Sequence, residues 1–144
     1  MVNKNQTIMV ITLKEFIEKS VPAWRAAKAY IQCFDNIDNP PEFKTNHSDS
    51  VIEKYLKGKI SNMGLNESDI KFHVLFHVSD DSCIKVGYNM MHVYLRQDKS
   101  VLCVEFVNCT DSFLNITRQL GMVNGVAYKS RKSLSFEKSE VFFF

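Results

Sequence analysis

The chain has 144 residues, 45% of them hydrophobic and 24% charged, with a net charge of +2. That is enough chain for one domain with its own core, and too apolar for a disordered segment. The near-neutral balance argues against a protein that works by broad attraction to nucleic acid or anionic membrane. No run of about 18 apolar residues occurs, so no transmembrane helix is predicted.

The first apolar run, Ile8 to Ile11, is too short for the core of a secretory signal. The four cysteines, Cys33, Cys83, Cys103 and Cys109, form no CxxC pair. Reduced thiols in a cytoplasmic protein are therefore expected. Five Asn-x-Ser/Thr triplets, starting at Asn5, Asn46, Asn66, Asn108 and Asn115, would matter only in a secreted chain.

Thr12-Leu-Lys-Glu15 fits a capping box, with Ile11 and Phe16 placed as the hydrophobic staple. Pro22 suits the first position of a helix better than its interior. Two helices are thus predicted, 13–20 and 22–33. Trp24, Ala27, Tyr30, Ile31 and Phe34 form the buried stripe of the second. Residues 35–47, with their Asn, Asp and Pro-Pro, read as a loop. Ser50-Val-Ile-Glu53 is a second capping box, and a helix follows with Ile52, Tyr55, Leu56, Ile60 and Met63 on one side. Gly64 is placed as its left-handed cap.

After Asn66-Glu-Ser-Asp69 the apolar period changes from 3.6 to 2. Residues 71–78, 84–96 and 101–109 read as antiparallel strands. A two-residue turn at Asp98-Lys99 sets Leu95 against Leu102, Val93 against Val104 and Met91 against Phe106, all on one face. The out-of-phase Ile84, Val86 and Tyr88 call for a bulge near Gly87-Tyr-Asn89. A further helix is predicted from Thr110 to Leu120, ended by Gly121. Residues 126–129 and 133–143 read as a last pair of strands, with Ser130-Arg-Lys132 at their turn. The expected fold is α+β: a single domain with N-terminal helices on an antiparallel sheet of about four to five strands, and one more helix before the last strands.

Phe72-His-Val-Leu-Phe-His-Val78 has helical metal-site spacing but the residue types of a strand. As a strand it puts Phe72, Val74, Phe76 and Val78 on one face and His73, Leu75 and His77 on the other. His73 and His77 are then about 13 Å apart, too far to share an ion. The hairpin adds His92, Tyr94 and Glu105 to that second face, with Glu105 across from His92. Imidazoles and a carboxylate there suggest either a metal-assisted or acid–base site, or a half-exposed polar face. Cys103 and Cys109 are the nucleophile candidates, and both also suit plain burial. Lys129-Ser-Arg-Lys132, flanked by Tyr128 and Phe136, could meet phosphates, but Glu137 and Glu140 follow at once.

The chain has only five glycines and no GxGxxG, GK[ST] or GxSxG. No catalytic residue, metal or cofactor is assigned. The reading that follows is a non-enzymatic protein-binding domain, such as an inhibitor or immunity-type protein that blocks a partner protein. Its contact residues would be His73, His77, His92, Tyr94 and Glu105, with the tail Phe142, Phe143 and Phe144 as a second aromatic surface. The alternative is a small enzyme with a His/Glu site on the same sheet face.

Overall fold

The structure is a computed structural model that describes residues 10–26, 28–43, 60–61, 64–79, 89–109, 114–115, 128–133 and 137–144. The described part holds one long helix and six strands. These are α1 (Leu13–Ala26), β1 (Tyr30–Cys33), β2 (Phe72–Ser79), β3 (Met90–Leu95), β4 (Val101–Val107), β5 (Tyr128–Ser133) and β6 (Glu137–Phe143). All strand pairs are antiparallel, in the order β1-β2-β3-β4-β6-β5.

The capping box forms as the sequence predicts. The Glu15 amide donates to Thr12 Oγ1 at 3.2 Å, and the Thr12 amide donates back to Glu15 Oε1 at 3.4 Å, with the Thr12 hydroxyl donating to the same oxygen at 2.9 Å. The helix then runs through Pro22 rather than restarting there. Pro22 has no N–H for the Glu18 carbonyl, but both residues are exposed, so water can take that acceptor. The predicted second helix, 22–33, is corrected: α1 stops at Ala26, and residues 30–33 form the edge strand β1. The stop is a Schellman motif with Lys28 in the left-handed region (φ 58°). The Ala29 amide donates to Trp24 O at 2.8 Å, and the Lys28 amide to Arg25 O at 2.9 Å. A lysine at that position hides the signal that glycine would give. The same motif closes the helical residues Ile60 and Ser61. There Gly64 holds φ 75°, and Leu65 donates to Ile60 O at 3.2 Å, so the predicted glycine cap is present.

Most of the helix predicted after Ser50 lies outside the described residues, as do Gly87 and Tyr88 of the predicted bulge and most of the helix predicted at 110–120. Of the latter, Leu114 and Asn115 are described and helical. Ser130, Arg131 and Lys132 are not a turn. They belong to β5 and pair with Glu140, Ser139 and Lys138 of β6.

The central hairpin keeps the predicted pairs Met91–Phe106, His92–Glu105, Val93–Val104 and Tyr94–Cys103. It reaches them differently. The loop has three residues, Gln97–Lys99: Arg96 N donates to Ser100 O and Lys99 N to Arg96 O, both at 2.9 Å, with Lys99 at φ 66°. Leu95 pairs with Val101, not Leu102, and the register shifts between Tyr94 and Leu95. The extra residue in β4 compensates for the longer loop, so every later pair falls where a two-residue turn would have put it. Leu102 packs with the cluster opposite to that of Leu95.

Two cores result. Beneath α1, Leu13, Phe16 and Trp24 meet Val74, Phe76, Val93, Val104, Phe106 and Phe142 of the sheet. Phe16 sets its ring edge-on to Trp24 (5.9 Å) and Phe144 (5.7 Å). Each such fully buried large side chain contributes about 1.5–3 kcal/mol relative to an exposed one. On the opposite face, Ile60 and Ile70 pack on Tyr94, Cys103 and Val141, with Phe43, Leu65, Leu102 and Phe143 around them.

Candidate functional site

β2 and β3 place His73 opposite Tyr94 and Leu75 opposite His92. His73 and His92 are therefore diagonal neighbours, within reach of each other on one face. They meet: His73 Nε2 and His92 Nδ1 are 2.8 Å apart. The ring planes differ by 7° and the centroids lie 5.0 Å apart. Rings stacked face over face cannot bring two atoms closer than the van der Waals gap between their planes. A 2.8 Å contact thus means that the imidazoles lie edge to edge, joined by an N–H···N hydrogen bond. One nitrogen donates and the other accepts. Protonating both rings would set two N–H groups head-on, so the contact holds a single proton.

Aromatic groups fix the pair in place. Tyr94, fully buried, lies nearly parallel to His73 at 4.8 Å. Phe43 stands perpendicular to both, 6.2 Å from His73 and 5.9 Å from Tyr94. The Phe43 wall is set by backbone bonds beside β2: its own amide donates to Lys71 O at 2.9 Å, and the His73 amide donates to Pro41 O at 3.2 Å. Nothing in the sequence pattern marked Phe43, because a loop residue carries no period.

Glu105 sits across from His92 in the β3–β4 register and is 0% exposed. The sequence-predicted His92–Glu105 neighbourhood thus exists, but its carboxylate is inside the protein. His77 stands apart from the other two histidines. Its ring meets Phe34 edge-on at 6.2 Å, at the sheet margin. Of the contact residues named from sequence, His73, His77, His92, Phe143 and Phe144 are half-buried, whereas Tyr94, Glu105 and Phe142 are buried. Phe142 goes inside because β6 lies between β4 and β5 and turns that ring under α1, against Phe106 at 5.6 Å.

Among the described residues, no group of three or more His, Cys, Asp and Glu side chains converges as a metal-ligand set. Cys103 and Cys109 are buried in the two cores. Cys33 is half-buried at the end of β1, and burial pushes its thiol up, away from the thiolate a nucleophile needs. A depression of about 330 Å³ lies beside Phe43, lined by Glu42, Glu67, Ile70, Lys71, Phe72 and Gln97. None of the described histidines lines it.

The margin holds what the sequence reading missed. Tyr30 and Phe34, expected inside a helix stripe, are 67% and 58% exposed. β1 and the residue after it alternate along Tyr30-Ile-Gln-Cys-Phe34, turning Tyr30, Gln32 and Phe34 to the histidine face. Asp35 then ends the pairing: its carboxylate accepts the Leu75 amide at 2.7 Å. The histidine face is therefore half closed by the Phe43 and Ile60 cluster. Its other half is an open strip of Tyr30, Gln32, Phe34, Leu75 and His77.

Compared with known proteins, the chain matches no family model, no curated protein and no solved structure. Among the described residues, no helix is long and apolar enough to cross a membrane.

Proposed function

We propose that the protein is a non-enzymatic binding domain of the cytosol that engages another protein, in the manner of a small inhibitor or immunity-type protein, through the β1–β2 side of the sheet. The carrying observation is the exposure of Tyr30 and Phe34 beside half-buried Leu75 and His77 on a sheet margin. Two large rings and an imidazole on a rigid strand frame supply the kind of anchors that dominate protein interfaces. The thiols of Cys33, Cys103 and Cys109, none of them in a disulfide, fit a reducing compartment.

The test has two stages. Capture from the native source is followed by calorimetry with the purified partner. Tyr30→Ala and Phe34→Ala should each weaken binding about tenfold or more, the effect of losing an interface anchor. Unchanged affinity in both variants rejects this surface.

A second reading rests on the 2.8 Å imidazole contact. A histidine that orients another by a ring hydrogen bond can serve a general base. Under that reading His73 positions His92 in a small enzyme. Hydrolysis of a panel of activated esters and phosphoesters that disappears in His92→Gln, with the fold intact, would favour it over the first.

A further inference from the structure

We infer that β1 is also the seat of a symmetric homodimer, in which the β1 strands of two copies pair antiparallel about a two-fold axis at Gln32. This rests on the reading that the β1 margin is a binding region, and it names the occupant of the strand's outer edge.

Phe34 donates its amide to Leu75 O at 3.0 Å, and Val78 donates to Asn89 O at 2.8 Å. Antiparallel alternation then turns the backbone groups of Tyr30, Gln32 and Phe34 toward β2, and those of Ile31 and Cys33 outward. β1 ends the sheet, and among the described residues nothing pairs with that outer side.

Sheets guard their edges with charged residues, above all lysine. The opposite edge, β5, carries Lys129, Arg131 and Lys132 in its sequence. Tyr30-Ile-Gln-Cys-Phe34 carries none. Its charges lie outside the strand and are opposite in sign: exposed Lys28 precedes it, and Asp35 and Asp38 follow it. An antiparallel second copy brings each Lys28 toward the other copy's acidic end.

With Gln32 on the axis, Ile31 of one copy exchanges backbone bonds with Cys33 of the other. Gln32 meets Gln32, and Tyr30 meets Phe34 at both ends. The pairs Gln32–Gln32 and Tyr30–Phe34 fall in the closer, non-hydrogen-bonded positions, where cross-strand aromatics interact best. The dimer joins the two open strips into one continuous platform on the histidine face. Because β1 has only four residues, the association is weak and depends on concentration.

Sedimentation velocity from micromolar to near-millimolar protein tests this without any partner. The expected mass rises from one chain toward two. Gln32→Lys, which sets like charges across the axis at an exposed position, should hold it at one chain while the thermal melt stays unchanged. Gln32→Cys should form an interchain disulfide on mild oxidation, since that pair brings Cα atoms to about 4.5 Å. A single-chain mass over the whole range overturns the proposal, as does a dimer that Gln32→Lys leaves intact. Cross-linking of wild-type protein through Cys33 overturns the register. A monomer that still captures its protein partner removes the dimer and leaves the binding reading. A dimer whose captured partner is indifferent to Tyr30→Ala and Phe34→Ala does the reverse.

Discussion

The two faces of the sheet are closed by different means. Under α1, an amphipathic helix with a regular stripe meets alternating strand positions, and the cover is continuous from Phe16 to Phe142. On the histidine face the cover is assembled from separate points of the chain, Phe43, Ile60, Leu65 and Ile70, and it extends over Tyr94, Cys103 and Val141. Beyond it lies the strip along β1 and β2, with Tyr30 and Phe34 in solvent. The face covered chiefly by one helix, with Ile11, Ala29 and Leu114 filling in beside it, packs as one apolar cluster. A face closed piecemeal leaves polar and aromatic groups where the cover ends, and the candidate site lies at that boundary.

This contrast can be broken most directly at the helix. Phe16→Ala removes a ring that touches Trp24 and Phe144 at a fully buried position. It should cost about 3–5 kcal/mol in denaturant unfolding. A loss below about 2 kcal/mol, the floor for Leu-to-Ala-class truncations, would mean that the α1 face is not the principal core. Ile60→Ala tests the assembled cover. It should cost about 2–4 kcal/mol, and it should also perturb the imidazole resonances of His73 and His92 in NMR spectra. A loss that leaves both imidazole resonances unmoved would show that Ile60 is not part of the cover over the histidine face.

Smaller effects sharpen the picture at the ends of elements. Lys28→Gly relieves a left-handed backbone at the Schellman position between α1 and β1. It should stabilise by about 0.5–1 kcal/mol, read as a rise in the denaturant midpoint. Destabilisation would show that Lys28 does more than terminate the helix. The smallest effect concerns Asp98 in the hairpin loop. Hydrogen bonds from the Ser100 side chain, then from its amide at 2.9 Å, hold the Asp98 carboxyl below its ordinary range. A lowered folded value means that the contribution is complete above the unfolded carboxylate range. It is lost as pH falls through the folded value. Asp98→Asn should lower stability at neutral pH and have little effect in acid, so that the fall of stability on the acid limb becomes shallower. A change at neutral pH of the same size as that at acid pH would show that the loop relies on shape rather than charge.

Much of this architecture was legible. The Thr12–Glu15 box, the Gly64 cap and the alternation of residues 72–79 and 101–107 each state a local rule that tertiary contacts then obeyed. The central register was also legible, although through two compensating departures: a loop one residue longer and a bulge at Leu102. The misreadings share a cause. Lys28 stops a helix without glycine, and Pro22 stays in one because its side of the helix faces water. In both places the surroundings overrule a propensity of about 1–3 kcal/mol.

The candidate site divides in the same way. Strand parity alone put His73, His77, His92, Tyr94 and Glu105 on one face, because successive side chains on a strand must alternate. Parity sets which side a residue takes, not whether anything covers that side. Tertiary structure decided that by bringing Phe43 and Ile60 over Tyr94, sealing Glu105 inside, closing His73 onto His92, and leaving Tyr30 and Phe34 in water. Those outcomes depend on where distant segments come to rest, and local periodicity carries no information about it.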